Sequence, residues 1–226
     1  MRILITDVTE MHQGNYCVAG WVAAQGRMVR PLPGGSNWTA ALLLARGITP
    51  GATIQVTPSG AQPNGVYPHR TEDTPIEPAT IALIMPGPKP WFGVGAPPTA
   101  DTLSGAFLDH VRTTGEWDGA KKAAHVHEGT QIGSLAAVKI ARDNLEFFEG
   151  DYQGKKSLRA YLEDEEERYT LPVVAKGLRE TYRANGVDAV NELLPEAGLL
   201  HVRVGLARAW AGQPGKCTVM INGVYW

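Results

Sequence analysis

The chain has 226 residues, 43% of them hydrophobic, with a formal net charge of −2, so it can bury a core without disulfide or metal staples. The charge balance excludes the basic excess of a dedicated nucleic-acid binder, and any such surface must be local. Two cysteines far apart in sequence, Cys17 and Cys217, exclude a disulfide framework and a Cys-rich zinc site.

The N-terminal "MRILITDVTE" has no charged region followed by an apolar stretch of signal-peptide length, and no window reaches the ~18 apolar residues of a membrane span. A cytoplasmic protein with reduced thiols and no membrane association is expected. The 26 glycines and 16 prolines are spread along the chain, which favours many short strands joined by turns. "RILITDV" and "NYCVAGWVAAQGRMVRPL" read as strands, the latter two joined around Gln25-Gly26. "SNWTAALLLARG" reads as a short helix capped by Ser36 or Asn37 and ended by Gly47. "PGATIQVTP" and "ATIALIMP" add two strands, enough in all for one small barrel.

The prolines of "MPGPKPWFGVGAPP", residues 85–98, remove backbone donors and make it a connector. In "ADTLSGAFLDHVRTTG", Leu103, Phe107 and Val111 recur at i, i+4 and i+8, which predicts a spacer helix packed between two halves. "GSLAAVKI", "NLEFFEG" and the hairpin "KSLRAYLEDEEERYTLPV" open a second barrel. "AKGLRETYRANG" and "VDAVNELLPEAG" form a helical pair within it, and "LHVRVGLARAW" and "CTVMINGVYW" close it. The expected organisation is a first barrel at 1–90, a Pro-rich linker and spacer helix at 91–128, and a second barrel at 129–226 with a helical insertion at about 175–198. The fold class is all-β with short helices.

Chemistry-bearing residues are sparse. Cys17 on a strand reads as a small buried hydrophobe, Cys217 likewise, and the two occupy equivalent core sites if both barrels use equivalent strands. His125 and His127 point to one face of a strand, as a metal site would require, and Glu128 could add oxygen, yet no third histidine follows at short spacing. A solvated or linker segment is the expectation there, with no metal and no cofactor. His69, in "YPHRTED", fixes a loop by hydrogen bonding. The acids of "EDEEE", 163–167, repel one another and form a solvated hairpin tip. "GVGAPP" and "PGG" lack the Lys-Ser/Thr ending of a phosphate loop, and no Gly-x-Ser-x-Gly elbow positions a nucleophile, so no enzyme is expected.

"YCVAGW" with "GRMVRPL", then "HRTED", "GSLAAVKI" and "RVGLARAW…GKCTVMINGVYW", together resemble a bacterial family described as the dual OB-containing domain, two successive oligonucleotide/oligosaccharide-binding barrels. Cys17, Ala19, Gly20, Arg30, Pro31, His69, Glu72 and Cys217 match the family pattern. Asp73 stands where an amide is usual, and "RVGL" replaces a Ser-Leu-Gly run. The resemblance implies two consecutive OB-like barrels and a nucleic-acid role, within a bacterial defence or stress system.

Such barrels bind on one face, where aromatic side chains stack on bases and Arg or Lys follow phosphates. The candidates are Trp21, Arg27, Arg30, Trp38 and His69 in the first barrel. In the second they are Lys139, Arg142, Lys155, Lys156, Arg159, Tyr161, Arg203, Arg208 and Trp210. The tryptophans read more readily as core or barrel plug than as surface, and Arg30 also reads as a pin for a loop carbonyl or an acid such as Glu72. The expected function is a non-enzymatic binding module for single-stranded or exposed nucleic acid (DNA or RNA). A nucleotide or modified-base sensor and a protein-binding scaffold are the alternatives.

Overall fold

The computed structural model describes residues 1–63, 65–87, 97–117, 121–152 and 154–226, and separates into two units, Met1–Pro98 and Thr99–Trp226. In the first unit β1 (Arg2–Glu10) is buried on both faces. Ile3, Ile5 and Val8 enter an apolar core, while Thr6, Asp7 and Thr9 are buried too, and a bulge between Ile5 and Asp7 shifts its register. β2 (Asn15–Val22) and β3 (Arg27–Pro33) form a hairpin turned by Gly26 at φ 59°, a left-handed conformation that costs glycine nothing. β4 (Trp38–Thr39) leads into α1 (Ala40–Ala45). The cap is Thr39, a few residues later than Ser36 or Asn37, its hydroxyl accepting from the Leu42 N–H at 3.2 Å. β5 (Thr53–Gln55), β6 (Asp73–Ile76) and β7 (Ala82–Met85) complete the unit.

These strands lie in the order β6-β3-β2-β1-β5-β7, with β4 on β2, and the β3/β6 pair is parallel. The chain beyond β5 turns back onto β6. Pro58 bridges Ile76, and the Glu77 and Ser59 N–H groups donate to the Thr57 and Pro75 carbonyls at 3.0 Å each. The order therefore closes as β1-β2-β3-β6-β5-β1, a small barrel with α1 between its third and fourth strands. Trp38 is wholly buried in its core, with the indole N–H donating to the Pro31 carbonyl at 2.7 Å.

The second unit comprises α2 (Leu103–Ala106), β8 (Arg112–Trp117), β9 (Lys121–His127), β10 (Leu135–Ala141), β11 (Leu145–Tyr152), β12 (Lys155–Glu163), β13 (Arg168–Pro172), α3 (Lys176–Asn191), β14 (Leu199–Leu206) and β15 (Lys216–Tyr225). Three residues join β10 to β11, and the Arg142 guanidinium holds that bend by donating to the Pro195 and Leu145 carbonyls at 3.0 and 3.2 Å. The two strands act as one bent strand whose halves pair with β14 and β12. β13 runs parallel to β15 at Val173–Ile221, where the Val174 N–H donates to the Ile221 carbonyl at 2.9 Å. The closure repeats that of the first unit, with α3 again between third and fourth strands. The β8–β9 hairpin is an addition: β9 pairs antiparallel with β15 and parallel with β13. The chain is thus all-β with short helices, in two successive small barrels.

Of residues 91–128, expected as linker and spacer helix, 99–117 and 121–128 belong to the second unit and supply α2, β8 and β9; the Pro-rich residues 88–96 lie outside the described ones. Leu103 and Phe107 do bury as their spacing predicts, each contributing roughly 1.5–3 kcal/mol. The helix nevertheless stops after one turn, because Leu108 and Asp109 take φ of 50° and 62°, outside the right-handed helical region. The expected helical pair is α3, broken at Gly186 (φ 85°, ψ −179°).

The acidic tip also differs from expectation. Asp164 is buried. Its Oδ2 accepts from the Leu103 N–H at 2.7 Å, and its Oδ1 from the Glu166 and Glu167 N–H groups at 2.9 Å, so one of five acids fastens α2 to the hairpin. Among the described residues no helix is long and apolar enough to cross a membrane.

Candidate functional site

Strand register sets the outer face of each barrel. In the first unit Cys17 pairs with Thr9, Ala19 with Asp7 and Arg30 with Asp73, which places all six on the side opposite Val8, Val18 and Val29. This outer face is filled by the chain's own polar groups. The Arg30 Nη1 meets Asp73 Oδ1 at 2.6 Å, and its Nε donates to the Cys17 Sγ at 3.2 Å. The Arg30 N–H donates to the Glu72 carbonyl at 2.7 Å, and Glu72 and His69 are themselves buried. Burial alone would lower the guanidinium's pKa, but Cys17, Asp73 and Glu72 together outweigh it and hold the pKa above its ordinary value.

Cys17 is therefore a half-buried hydrogen-bond acceptor and not a core hydrophobe. Cys217 is wholly buried in the second core, where burial pushes its thiol up. The former lies on a second strand and the latter on a fifth, so the two thiols are not equivalent.

The matching face of the second unit is open. A cleft of about 550 Å³ is lined by Arg159 on β12, Pro172 on β13, His125 on β9, Lys216 and Thr218 on β15, and Trp210 and Gln213 in the β14–β15 loop. Register explains the convergence, since Arg159 pairs with Pro172, and Thr218 with His125. The loop is braced by the Gln213 N–H donating to the Trp210 carbonyl at 2.8 Å and the Thr218 hydroxyl donating to Gln213 Oε1 at 2.9 Å. The Trp210 indole lies against Gly212, where any Cβ would overlap the ring, yet the residue is 63% exposed.

Electrostatically the cleft is positive. Burial lowers the His125 pKa, and Lys216, His127 and Arg112 lower it further, so the ring is held neutral; it meets His127 edge-on with centroids 5.4 Å apart. Its Nδ1 is enclosed without a hydrogen-bond partner, as is the Nε of Arg159. Burial also lowers the Arg159 pKa, and its Nη2 donates to the Thr170 carbonyl at 3.4 Å. Beyond Arg159 the face continues with Tyr161, stacked on Phe148 at 4.0 Å and 14°, and with the Arg168 guanidinium 4.9 Å over Tyr161. Arg168 also lies 3.8 Å from Glu146 and 3.9 Å from Glu163.

Of the sequence candidates, Arg159 and Trp210 come together at this cleft, and Tyr161 lies beside it. Trp38, Arg30, His69 and Arg203 are buried and present no surface to a strand. Trp21 is half-buried with its indole N–H enclosed and unpartnered, and Arg27 is exposed, donating to Gln25 at 2.9 Å. Arg142 braces carbonyls, Lys156 pairs with Glu149 at 2.6 Å, and Lys139 lies 3.8 Å from Asp101. Lys155 and Arg208 are exposed.

Sequence reasoning did not select His125, Lys216, Thr218, Phe148 or Arg168 for binding. The alternation in "KCTVM" already divides core from outer face, and could have found Lys216 and Thr218. Among the described residues no group of three or more His, Cys, Asp or Glu is placed to hold a metal ion, and the His125–His127 pair stands without a third ligand. Comparison with protein-family models, with curated proteins and with solved structures finds no match for the chain.

Proposed function

We propose that the chain is a non-enzymatic binding module that takes single-stranded or exposed nucleic acid on the outer face of its second barrel. The observation that carries this reading is the open cleft of Arg159, His125, Lys216 and Trp210, continued by Tyr161, Phe148 and Arg168. Stacked aromatics beside arginines are the chemistry of single-strand binding, with each stacked base contributing ~1 to 3 kcal/mol. Both barrels support an OB reading: each closes its strands in the same order, with a helix between third and fourth strands. OB barrels bind on the face of the second and third strands and on the loop between the fourth and fifth, here β12–β13 and the loop bearing Trp210. A reducing cytoplasmic setting suits two free thiols.

The test is tryptophan fluorescence titration of the full chain with dT10 and rU10, starting at ~20 mM salt, where screening is weakest. Quenching that weakens as salt rises is expected. No binding of either oligonucleotide at low salt sinks the proposal.

A nucleotide or modified-base sensor is the second reading, favoured by the cleft's volume, about 550 Å³, which lies in the small-ligand range of ~300–1,000 Å³. One saturable stabiliser in a thermal-shift nucleotide panel, with no oligonucleotide effect, selects it.

A further inference from the structure

We infer that the cleft of the second barrel is a nucleotide-phosphate subsite, in which Arg159, His125 and Lys216 receive a phosphate while the attached base lies against Trp210. The inference rests on the nucleic-acid reading for the base, and on the cleft's own charge for the phosphate.

Three observations converge on an anion. The whole chain holds 23 acidic against 21 basic residues, yet among the described residues no carboxylate lines this cleft, whereas Arg159, Lys216 and His125 do. His125 is only 5% exposed and its Nδ1 meets no partner; the Nε of Arg159 is likewise enclosed and unpartnered. Buried polar atoms in folded proteins are almost always satisfied, so two unpartnered nitrogen atoms on one cleft mark a place where a ligand supplies the oxygen atoms. Trp210 adds a flat apolar wall, held by Gly212 and by the Gln213–Thr218 bond, so the ligand is an anion carrying a planar group.

Proton linkage follows from the groups around His125. It faces Lys216 from β15, Arg112 from β8 and His127 on its own strand, with Arg159 from β12 across the cleft; burial first, and then Lys216, His127 and Arg112, lower its pKa and keep it neutral. A phosphate reverses the sign of that field. His125 then gains a proton on binding, and affinity rises as pH falls through the histidine range. The phosphate can be a terminal monoester or a diester within a strand, and the probes separate these.

The experiment titrates the full chain with thymidine, thymidine 5′-monophosphate, inorganic phosphate, and dT10 with and without a 5′-phosphate, at pH 8 and pH 6, by calorimetry in two buffers of different ionisation enthalpy. The monophosphate is expected to bind at least about tenfold more tightly than thymidine, and more tightly at pH 6, with proton uptake. His125→Gln removes the uptake beyond the phosphate's own ionisation near pH 6. Lys216→Met weakens the monophosphate and leaves thymidine unchanged; it serves as the second variant should His125→Gln fold poorly.

A 5′-phosphorylated dT10 that outbinds plain dT10 assigns a terminal phosphate, and equal binding with monophosphate affinity intact assigns an internal one. Thymidine and its monophosphate binding alike, or neither binding while dT10 binds, overturns the subsite and leaves the nucleic-acid reading standing. Monophosphate binding with neither oligonucleotide retained keeps the subsite and sinks that reading. Proton uptake unchanged in His125→Gln overturns the role of His125.

Discussion

The Arg30 guanidinium and the Asp73 carboxylate meet at 2.6 Å on neighbouring parallel strands, with side chains only 7% and 2% exposed. Removing one member of such a pair leaves the other charge buried and uncompensated. Arg30→Ala is expected to cost about 3–5 kcal/mol of stability, seen as a lower urea midpoint, while the protein that remains folded keeps its ligand affinity. Arg30→Met with Asp73→Leu is expected to cost less than Arg30→Ala. A stable Arg30→Ala protein that has lost binding would instead make Arg30 part of a surface.

Asp164, within a largely solvated acidic run, accepts three backbone N–H bonds, from Leu103, Glu166 and Glu167. Hydrogen bonds to a charged group contribute about 1.5–3 kcal/mol each, so Asp164→Ala is expected to lower the second unit's stability by at least about 2 kcal/mol. Glu165→Ala, in the same run and exposed, is expected to change it by less than about 0.5 kcal/mol. Thermal melts of the two variants make the comparison, and equal melting temperatures would remove Asp164's role as a fastener.

Trp210 is exposed and contributes wall, not core. Trp210→Ala is expected to weaken ligand binding by ~1 to 3 kcal/mol while leaving the melting temperature within about 1 °C. Gly212→Ala displaces the indole from its seat, and is expected to reduce binding without removing the ring. If Gly212→Ala binds as the parent does, the seat does not matter.

His125 and His201 are both held below the ordinary histidine pKa, the first by burial, Lys216, His127 and Arg112, the second by burial and Lys139. The unfolded chain, titrating near ~6.5, therefore binds more protons than the folded one just below that pH. Their contribution to stability is complete above ~6.5 and is lost as the pH falls through the lower folded values. Urea midpoints measured from pH 8 to pH 5 are expected to drop, and the drop to shrink in His125→Gln. A flat profile in the parent protein would contradict the assigned environments.

The strands were legible wherever one face is apolar, as in "SLRAYLE", and the helix between third and fourth strands was legible from its alanines and leucines. β8 and β9 were not, because "RTTGEW" and "KKAAHVH" carry little apolar pattern and are recruited by pairing with β15 and β13. The single turn of α2 escaped because its end is set by two backbone dihedrals and not by a Gly or Pro. The site was legible in part: Arg159 and Trp210 have the right chemistry, but their meeting with His125 and Lys216 depends on a register linking residues some 90 apart in sequence, from His125 to Thr218. The pairing of Arg30 with Asp73, 43 positions away, is likewise a product of barrel closure.

The filled face of the first barrel has a consequence for how this sequence can drift. Arg30 answers at once to Cys17, Glu72 and Asp73, so a neutral replacement at any one of them leaves the others mismatched, and tolerated variants must change several positions together. The loop carrying Trp210 is tied only locally, by the bonds of Gln213 to Trp210 and Thr218 and by the seat Gly212 gives the indole, so its changes are coupled within the loop and not to a buried charge. The two halves of the chain share a scaffold, and the corresponding faces differ in how far a single change must be answered elsewhere.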